Sequence, residues 1–295
     1  MRLSPGGVAT LACLLEVAAP KPGNVHRGAD FEDTTFHDFL ISAVMLGQTI
    51  DQQESDSLGR AIYTAVEVTQ QATETNTNLG MVLLILPLAM AYRRRNQVDA
   101  KTITAILNDM DREDAKQVYR AIRLAKPGGL GQAQAGDVTR PADDGELELM
   151  TAMKMAAHRD WIAKQYAESF ADVFQQVVPR LLEGKNWFGN LTEAIVYAHV
   201  ATMAALPDSL IARKCGEATA RHSQMLAQRA LDCLERAGRG KLSLDQKEDF
   251  WNQVSDLDFW LRSDGHRRNP GTTADLIAAG LFVAIANRDL RAPFR

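Results

Sequence analysis

An apolar run from Met81 to Tyr92 constrains the fold of this 295-residue chain more than any other feature. The run contains Pro87 and no charged residue. A helix needs about 20 apolar residues to cross a bilayer, so this run is too short for a membrane span. It instead predicts a helix buried at the centre of a protein core. The hydrophobic content of 46% is enough to surround that helix with one large core.

The rest of the chain also favours helices. Ala, Leu, Met, Glu, Gln and Arg recur throughout, and no stretch alternates apolar and polar residues for long enough to indicate a strand. We predict an all-α fold of roughly eleven helices in a single domain, residues 1–295, with a polar cleft formed by the loops between helices. Residues 35–52 and 209–236 each predict one helix. The apolar face of the first of these comprises Phe36, Phe39, Leu40, Ala43 and Val44.

Charge and cysteine usage exclude several classes of function. The net charge is -4, and Lys and Arg are dispersed, which argues against a nucleic-acid surface. The one basic cluster, Arg93–Arg95, is typical of a solvated helix C-terminus. Three cysteines without close pairing suit a reducing compartment, and no signal peptide is visible, so we predict a cytoplasmic protein without a membrane partner. Apolar helices rich in Ala and Met would suit a homodimer.

Polar segments that interrupt the apolar pattern are the candidate binding loops. Three of them, residues 76–78, 207–208 and 269–273, lead directly into predicted helix N-termini, where free backbone N–H groups favour anions. Ordinary capping by Asn78, Asp208 and Thr272 is an equally good interpretation. The five polar segments are residues 21–26, 74–80, 128–137, 208–216 and 266–275.

Recognisable nucleotide motifs are absent. There is no G-x-x-x-x-G-K-[ST] sequence, and the glycines at 129 and 131 lack both a third glycine and a preceding strand, which excludes a P-loop and a Rossmann site. His26 and His266 lie in polar loops and are functional candidates. His199, within a predicted helix, is interpreted as a surface or satisfied core residue. Carboxylates in the loops, Glu74, Asp208 and Asp275 among them, predict Mg²⁺ binding beside a polyphosphate.

Taken in order, the five segments resemble the triphosphoribosyl-dephospho-coenzyme-A synthase family from Lys21 to about Phe282. Two matches are specific: Lys21–Val25 reproduces the first family motif, and residues 270–278 resemble Pro-Gly-Gly-Ser-Ala-Asp-Leu-Leu-Ala. The other matches are weaker. Residues 76–80 resemble Asn-Thr-His-Lys-Gly, residues 128–137 resemble a glycine-rich stretch, and Asp208-Ser209 with Arg213 and Gly216 resembles an Asp-Thr motif followed by Arg and Gly.

The resemblance implies an all-helical enzyme that transfers a triphosphoribosyl group from ATP to dephospho-coenzyme A and releases adenine. Its product is the precursor of a prosthetic group on lyase-type carrier proteins. Breaking the ribosyl–adenine bond builds positive charge on the sugar, which carboxylates stabilise. We therefore expect Glu74, Asp208 and Asp275 to be catalytic or to bind Mg²⁺. The expected nucleotide- and precursor-binding residues are Lys21, Gly23, Asn24, His26, Asn76, Thr77, Asn78, Gly80, Arg213, His266, Asn269, Gly271, Thr272 and Thr273.

Departures from the family pattern leave alternatives open. The family's His-Lys pair is replaced by Asn78-Leu79, which removes a cation next to the phosphates, and its Arg-Gly-Glu sequence is not reproduced before Asp137. These changes predict a divergent member whose donor or acceptor differs. One alternative is phosphoribosyl transfer in the biosynthesis of a one-carbon, tetrahydromethanopterin-type cofactor. Another is a helical binding protein without catalysis.

Overall fold

The fold is all-α, as predicted, in the part of the chain that the computed structural model describes: residues 2–53, 56–74, 78–125, 149–235 and 242–294. That part holds fourteen α-helices, a π-helical turn at Val173–Val177 and one four-residue strand, β1 (Ser263–His266). The helices are α1 (Pro5–Ala18), α2 (Phe36–Gln52), α3 (Leu58–Thr73), α4 (Leu79–Arg95), α5 (Ala100–Asn108), α6 (Arg112–Ala125), α7 (Leu149–Ala156), α8 (Trp161–Ala167), α9 (Val178–Phe188), α10 (Leu191–Ala205), α11 (Ser209–Cys215), α12 (Glu217–Glu235), α13 (Leu244–Arg262) and α14 (Gly271–Ala286).

Three helices form the centre of the molecule. Every residue from Met81 to Tyr92 in α4 is buried, including Pro87, which confirms the predicted central helix. All but two residues of α14 are buried, and α10 is buried almost throughout. α14 packs against α1, α4 and α10. Apolar side chains from all parts of the described chain join one continuous core, so the loops at the ends of α4 and α14 are fixed by large packed surfaces.

Local capping explains where several helices begin. Thr35 caps α2 and Ser243 caps α13, each in a reciprocal capping box with the residue three positions later. Ser4 accepts a hydrogen bond from the Gly7 amide, and Pro5 occupies the first turn of α1. These starts were predictable because their signals lie within four residues of sequence.

The predicted number of helices was too low. Residues 209–236 were predicted as one helix but form α11 and α12, because Gly216 interrupts the helix with a φ of 91°. Residues 149–188 contain three separate helices. The break before α8 is stabilised by Asp160, whose carboxylate accepts hydrogen bonds from the amides of Ile162 at 2.9 Å and Ala163 at 3.1 Å.

The predicted inner face of α2 was also wrong in part. Val44 is 39% exposed, and the buried residues are Ser42, Ala43, Leu46, Gly47 and Ile50. α1 and α3 both pack on α2. Small residues on this face let the neighbouring helices approach closely, so the larger side chains at positions 36, 39 and 40 are only half-buried.

Within the described ranges, no single helix has both the length and the apolar composition needed to cross a membrane. The bent pair formed by α10 and α11 meets these criteria only when the two helices are taken together.

Candidate active site

The loop between α1 and α2 begins with a fully buried lysine. Lys21 Nζ lies 2.9 Å from Oε1 of Glu16, which is 2% exposed. The ammonium group also donates hydrogen bonds to the backbone carbonyls of Glu16 and Ala19. All three of its hydrogens therefore have acceptors inside the protein. The structure places Lys21 as half of a buried ion pair, whereas the sequence predicted a phosphate ligand.

Helix α13 fixes the next residues of this loop. The Gly23 amide donates a hydrogen bond to Asp258 Oδ1 at 2.7 Å. Arg262 pairs with Asp258 through Nε at 2.8 Å and donates through Nη2 to the Asn24 carbonyl. The loop is thus tied to a helix more than 230 residues later in the chain.

His199 on α10 completes the surroundings of this loop. Its imidazole is fully buried, and Nε2 lies 3.4 Å from Asn24 Nδ2, which also faces the Pro270 carbonyl at 3.5 Å. Burial and the nearby Lys21 charge hold the pKa of His199 well below its usual value. The ring is therefore neutral, and Nε2 can accept the Asn24 amide hydrogen. Sequence reasoning did not include His199 in the site because a lone helical histidine carries no local signal.

Asp208 joins the beginnings of two helices. Its Oδ1 accepts hydrogen bonds from the amides of Leu210 at 2.8 Å and Ile211 at 3.0 Å, in the first turn of α11. Its Oδ2 accepts from the amide of Thr273 at 2.7 Å and from the Thr273 hydroxyl at 2.8 Å. Burial raises the pKa of Asp208, and the hydrogen bonds from Thr273, Ile211 and Leu210 act in the opposite direction. Both oxygens are occupied, so the contacts account for Asp208 as a double helix cap.

A pair of hydroxyl groups lies beside this cap. Ser209 Oγ and Thr272 Oγ1 are 3.1 Å apart, and both side chains are buried. Ser209 begins α11, and Thr272 is in the first turn of α14, which Gly271 begins. Two of the three predicted helix N-termini are therefore neighbours in space.

The carboxylate of Asp275, on α14, lies against the third predicted helix N-terminus, that of α4. A β-carbon added at Gly80, in the first turn of α4, would lie 1.9 Å from Asp275 Oδ2. The carboxylate therefore occupies the space that a side chain at position 80 would need. Residues of the described chain donate no hydrogen bond to it. Burial and the charges of Glu16, Asp208 and Asp160 raise the pKa of Asp275 well above its usual value, while Arg213 lowers it in part.

Two basic side chains lie in the last turn of α11. Arg213 Nη1 lies 3.2 Å from Asp160 Oδ2, and Lys214 Nζ donates a hydrogen bond to Asn269 Oδ1 at 3.0 Å. Burial and the Arg213 charge lower the pKa of Lys214. Both side chains are only partly buried, so this edge of the cleft presents positive charge toward solvent.

Asn78 occupies the N-cap position of α4 without capping it. Its side chain makes no hydrogen bond to the first turn, and its Oδ1 lies 3.2 Å from Thr69 Oγ1. Its Nδ2 is buried and has no hydrogen-bond partner among the described residues. A cavity borders the side chain, lined by Cys13, Phe39, Ser42, Ala43, Asn78 and Met81.

The remaining predicted residues lie at the periphery. His26 Nδ1 accepts a hydrogen bond from the Gly28 amide at 3.1 Å, and burial, Arg262 and Lys21 lower the His26 pKa. His266 stacks on Phe31 with ring centroids 5.1 Å apart. Glu74 is exposed at the end of α3. The predicted ligands Asn76 and Thr77, and the glycine-rich segment 128–137, lie outside the described residues.

The predicted Mg²⁺ ligands do not form a metal site by themselves. In the described part of the chain no group of three or more His, Cys, Asp or Glu side chains is placed to hold a metal ion. Glu74 is exposed, and the oxygens of Asp208 are taken by four hydrogen bonds. The residues do not fit a cage of three carboxylates.

Comparison with known proteins identifies the family. The family model described as ATP:dephospho-CoA triphosphoribosyl transferase (CitG) matches residues 3–294. The chain belongs to this family. Its members are transferases that take the triphosphoribosyl group from ATP. The match confirms the resemblance to this family that the sequence predicted.

A solved structure agrees with the family fold. The structure, described as a triphosphoribosyl-dephospho-CoA synthase from Archaeoglobus fulgidus, matches with a TM-score of 0.63 at 22% sequence identity. The match covers 87% of this chain and 100% of the other. At this identity the likeness shows the fold alone. No curated protein matches the chain.

Proposed function

We propose that this protein transfers the triphosphoribosyl group of ATP to the hydroxyl group of a dephospho-coenzyme A acceptor and releases adenine. One observation carries the proposal beyond family membership: the Asp275 carboxylate, free of protein hydrogen bonds from the described residues, lies where the N-termini of α4 and α14 meet. Asp275 is partly exposed to solvent, so a ligand can reach it.

The surroundings of Asp275 suit a polyphosphate substrate. The first turns of α4 and α14 present backbone N–H groups, and the positive ends of the two helix dipoles favour anions. Arg213 and Lys214 add positive charge at the same edge. The triphosphate would bind here, with Thr272 and Gly271 allowing a close approach to the backbone.

Asp275 would act on the ribosyl–adenine bond. Its raised pKa favours the protonated carboxyl group, which can give its proton to the departing adenine. The C1′–N9 bond breaks with its electron pair on adenine, and the ionised carboxylate then faces the positive charge on the ribose. The acceptor hydroxyl forms the new C1′–O bond, and its proton restores Asp275. Atoms and charge balance without another reactant.

Glu16, Lys21 and Asp208 support this carboxyl group instead of reacting. Asp208 ties α11 to the turn that carries Asp275, and the Glu16–Lys21 pair lies close enough to influence its protonation. Mg²⁺ would arrive with the triphosphate, because the described carboxylates offer no cage for a free ion.

The test is adenine release, measured by chromatography, from ATP, Mg²⁺ and dephospho-coenzyme A. We expect release only when the acceptor is present. Asp275→Asn should lower the rate by at least 100-fold, about 2.7 kcal/mol of barrier. Asp245→Asn is the matched control, because Asp245 is also in the first turn of its helix but is exposed. Full activity of Asp275→Asn would remove this residue from the reaction.

A homodimer and a cytoplasmic location stay predictions. Ile41 and Val44 on α2 are 41% and 39% exposed, and a second copy of the chain would bury such apolar surface. Sedimentation of the purified protein decides the oligomeric state.

A further inference from the structure

Lys214 is a half-buried cation without an ion-pair partner among the described residues. It lies in the last turn of α11 beside Arg213, and the two positive charges repel each other. Arg213 is compensated by Asp160 at 3.2 Å. Asp33 and Asp208 act on the Lys214 charge only from farther away. A partly desolvated charge without a counter-ion is unfavourable, so an anionic ligand would stabilise it.

Asn269 holds the Lys214 ammonium group over the beginning of α14. Its Oδ1 accepts a hydrogen bond from Lys214 Nζ at 3.0 Å. Its backbone carbonyl accepts one from the Gly271 amide at 2.9 Å, and a β-carbon added at Gly271 would lie 3.2 Å from Asn269 Nδ2. The neutral amide orients the lysine but does not neutralise it. Two further hydrogens of the ammonium group are available to a ligand.

Another lysine in a last helical turn makes a different contact. Lys185, in the last turn of α9, donates a hydrogen bond to the Gly189 carbonyl at 2.8 Å and so caps the end of its own helix. Lys214 instead reaches across to the loop before α14. Helix capping therefore does not account for the position of Lys214, whereas an anion bound at the start of α14 does.

The position along α14 indicates which part of a nucleotide Lys214 meets. Gly271 and Asp275 are one turn apart, about 6 Å of helix, and Lys214 lies beyond Gly271, at Asn269. In the proposed function the Asp275 carboxyl group acts at C1′ of the donor ribose. The triphosphate is attached at C5′, so its outermost phosphate is the one farthest from C1′. A cation more than one turn from Asp275 is placed for that phosphate.

We propose that Lys214, oriented by Asn269, binds the outermost phosphate group of the donor and thereby makes the enzyme select a nucleoside triphosphate over a diphosphate. The inference rests on the proposed function, in which the donor bond breaks at Asp275. A lysine ammonium group gives a phosphate a charge-assisted hydrogen bond, and only a donor with a third phosphate reaches it. Lys214 is then a specificity-determining residue, and Asn269 is its positioning residue.

Adenine release from ATP and from ADP, each with Mg²⁺ and dephospho-coenzyme A, tests this assignment. Lys214→Met should lower kcat/KM for ATP by about 10–100-fold, the loss of one charge-assisted hydrogen bond, and leave the value for ADP nearly unchanged. Asn269→Ala keeps the charge but frees it, so it should reduce the preference for ATP by less. Lys185→Met is the matched control, because it removes a half-buried lysine from the last turn of α9, and it should keep the preference.

Calorimetry with ATP and ADP gives a readout that needs no turnover. The wild type should bind ATP more tightly than ADP, and Lys214→Met should bind the two alike. Equal losses for ATP and ADP in Lys214→Met would overturn the proposal, because a purely structural role does not distinguish the two nucleotides.

The remaining outcomes separate this inference from the proposed function. An unchanged preference for ATP with a higher KM for dephospho-coenzyme A would overturn the inference and assign Lys214 to the diphosphate of the acceptor. Tighter binding of ATP than ADP that depends on Lys214, in a protein that releases no adenine, would refute the proposed function and leave the phosphate site standing.

Discussion

Asp208 and Thr273 are joined by two hydrogen bonds to one carboxylate oxygen, 2.7 Å from the amide and 2.8 Å from the hydroxyl. The same carboxylate caps α11 through its other oxygen. This single buried side chain therefore determines how α11 and α14 meet, and with it the position of Asp275 two residues after Thr273.

Asp208→Asn should destabilise the protein strongly. An amide nitrogen facing Thr273 can accept neither of the two hydrogen bonds, and hydrogen bonds to charged groups contribute about 1.5–3 kcal/mol each. We expect the free energy of unfolding to fall by about 2–4 kcal/mol in urea denaturation. Asp99→Asn is the control, since Asp99 is exposed and caps only α5; we expect about 1 kcal/mol or less there. Equal effects of the two changes would contradict the double cap.

Lys21→Met alone should lower the free energy of unfolding more than the double change Glu16→Leu with Lys21→Met does. Removing one partner of a buried pair leaves an uncompensated charge, which costs about 3–5 kcal/mol, whereas apolar replacement of both partners is often nearly neutral. Urea unfolding of the two single variants and the double variant measures the coupling. Simple additivity would show that the pair does not form in solution.

The same variants decide between two roles of Lys21. If Lys21 is structural, the stable double variant keeps the wild-type KM for ATP, although the loss of the Glu16 charge beside Asp275 lowers its rate. If Lys21 binds phosphate, the double variant stays inactive although it is folded, and its KM for ATP rises.

Asp275→Asn should change how stability depends on pH. The pKa of Asp275 is raised in the folded protein. Above pH ~4, the ordinary pKa of an aspartate, the unfolded chain has released this proton while the folded protein still binds it. The wild type therefore loses stability as pH rises from there through the folded-state pKa. The amide that replaces the carboxyl group in the variant does not titrate. Thermal unfolding from pH 4 to pH 9 should show the variant gaining stability relative to the wild type; a constant difference would refute the pKa shift.

Gly80→Ala should reduce activity by displacing Asp275. The added methyl group would lie 1.9 Å from the carboxylate, so the side chain or the helix must move. Better helix propensity contributes about 1 kcal/mol in favour of alanine, and overpacking costs about 1–3 kcal/mol. We expect a small net loss of stability and at least a tenfold lower rate of adenine release. Gly28→Ala, where the nearest side-chain atom is 3.4 Å away, should be silent. Unchanged kinetics of Gly80→Ala would show that Asp275 is free to shift.

Local sequence signals predict much of this architecture but only part of the candidate site. The apolar run of α4 is a short-range pattern, and it predicted a real element. The loops that enter α4, α11 and α14 were predicted as binding segments, and the structure places the beginnings of these helices together.

The rest depends on contacts between distant parts of the chain. Asp208 and Thr273 are separated by 65 residues, and Asn24 and His199 by 175. Hydrophobic periodicity shows which face of a helix is apolar but not which side chain it meets. Glu16 had one available signal, an acid on the apolar face of α1, five residues before Lys21.

The close packing of α1 against α14 has a consequence for synthesis. These two helices lie near opposite ends of the described chain, and α14 fills the space between α1, α4 and α10. The first helices to leave the ribosome cannot close their core until residue 286 has emerged. Contacts of such long sequence separation slow folding and leave apolar surface uncovered in the meantime. The face of α1 that α14 covers therefore stays exposed until the end of α14 has been synthesised.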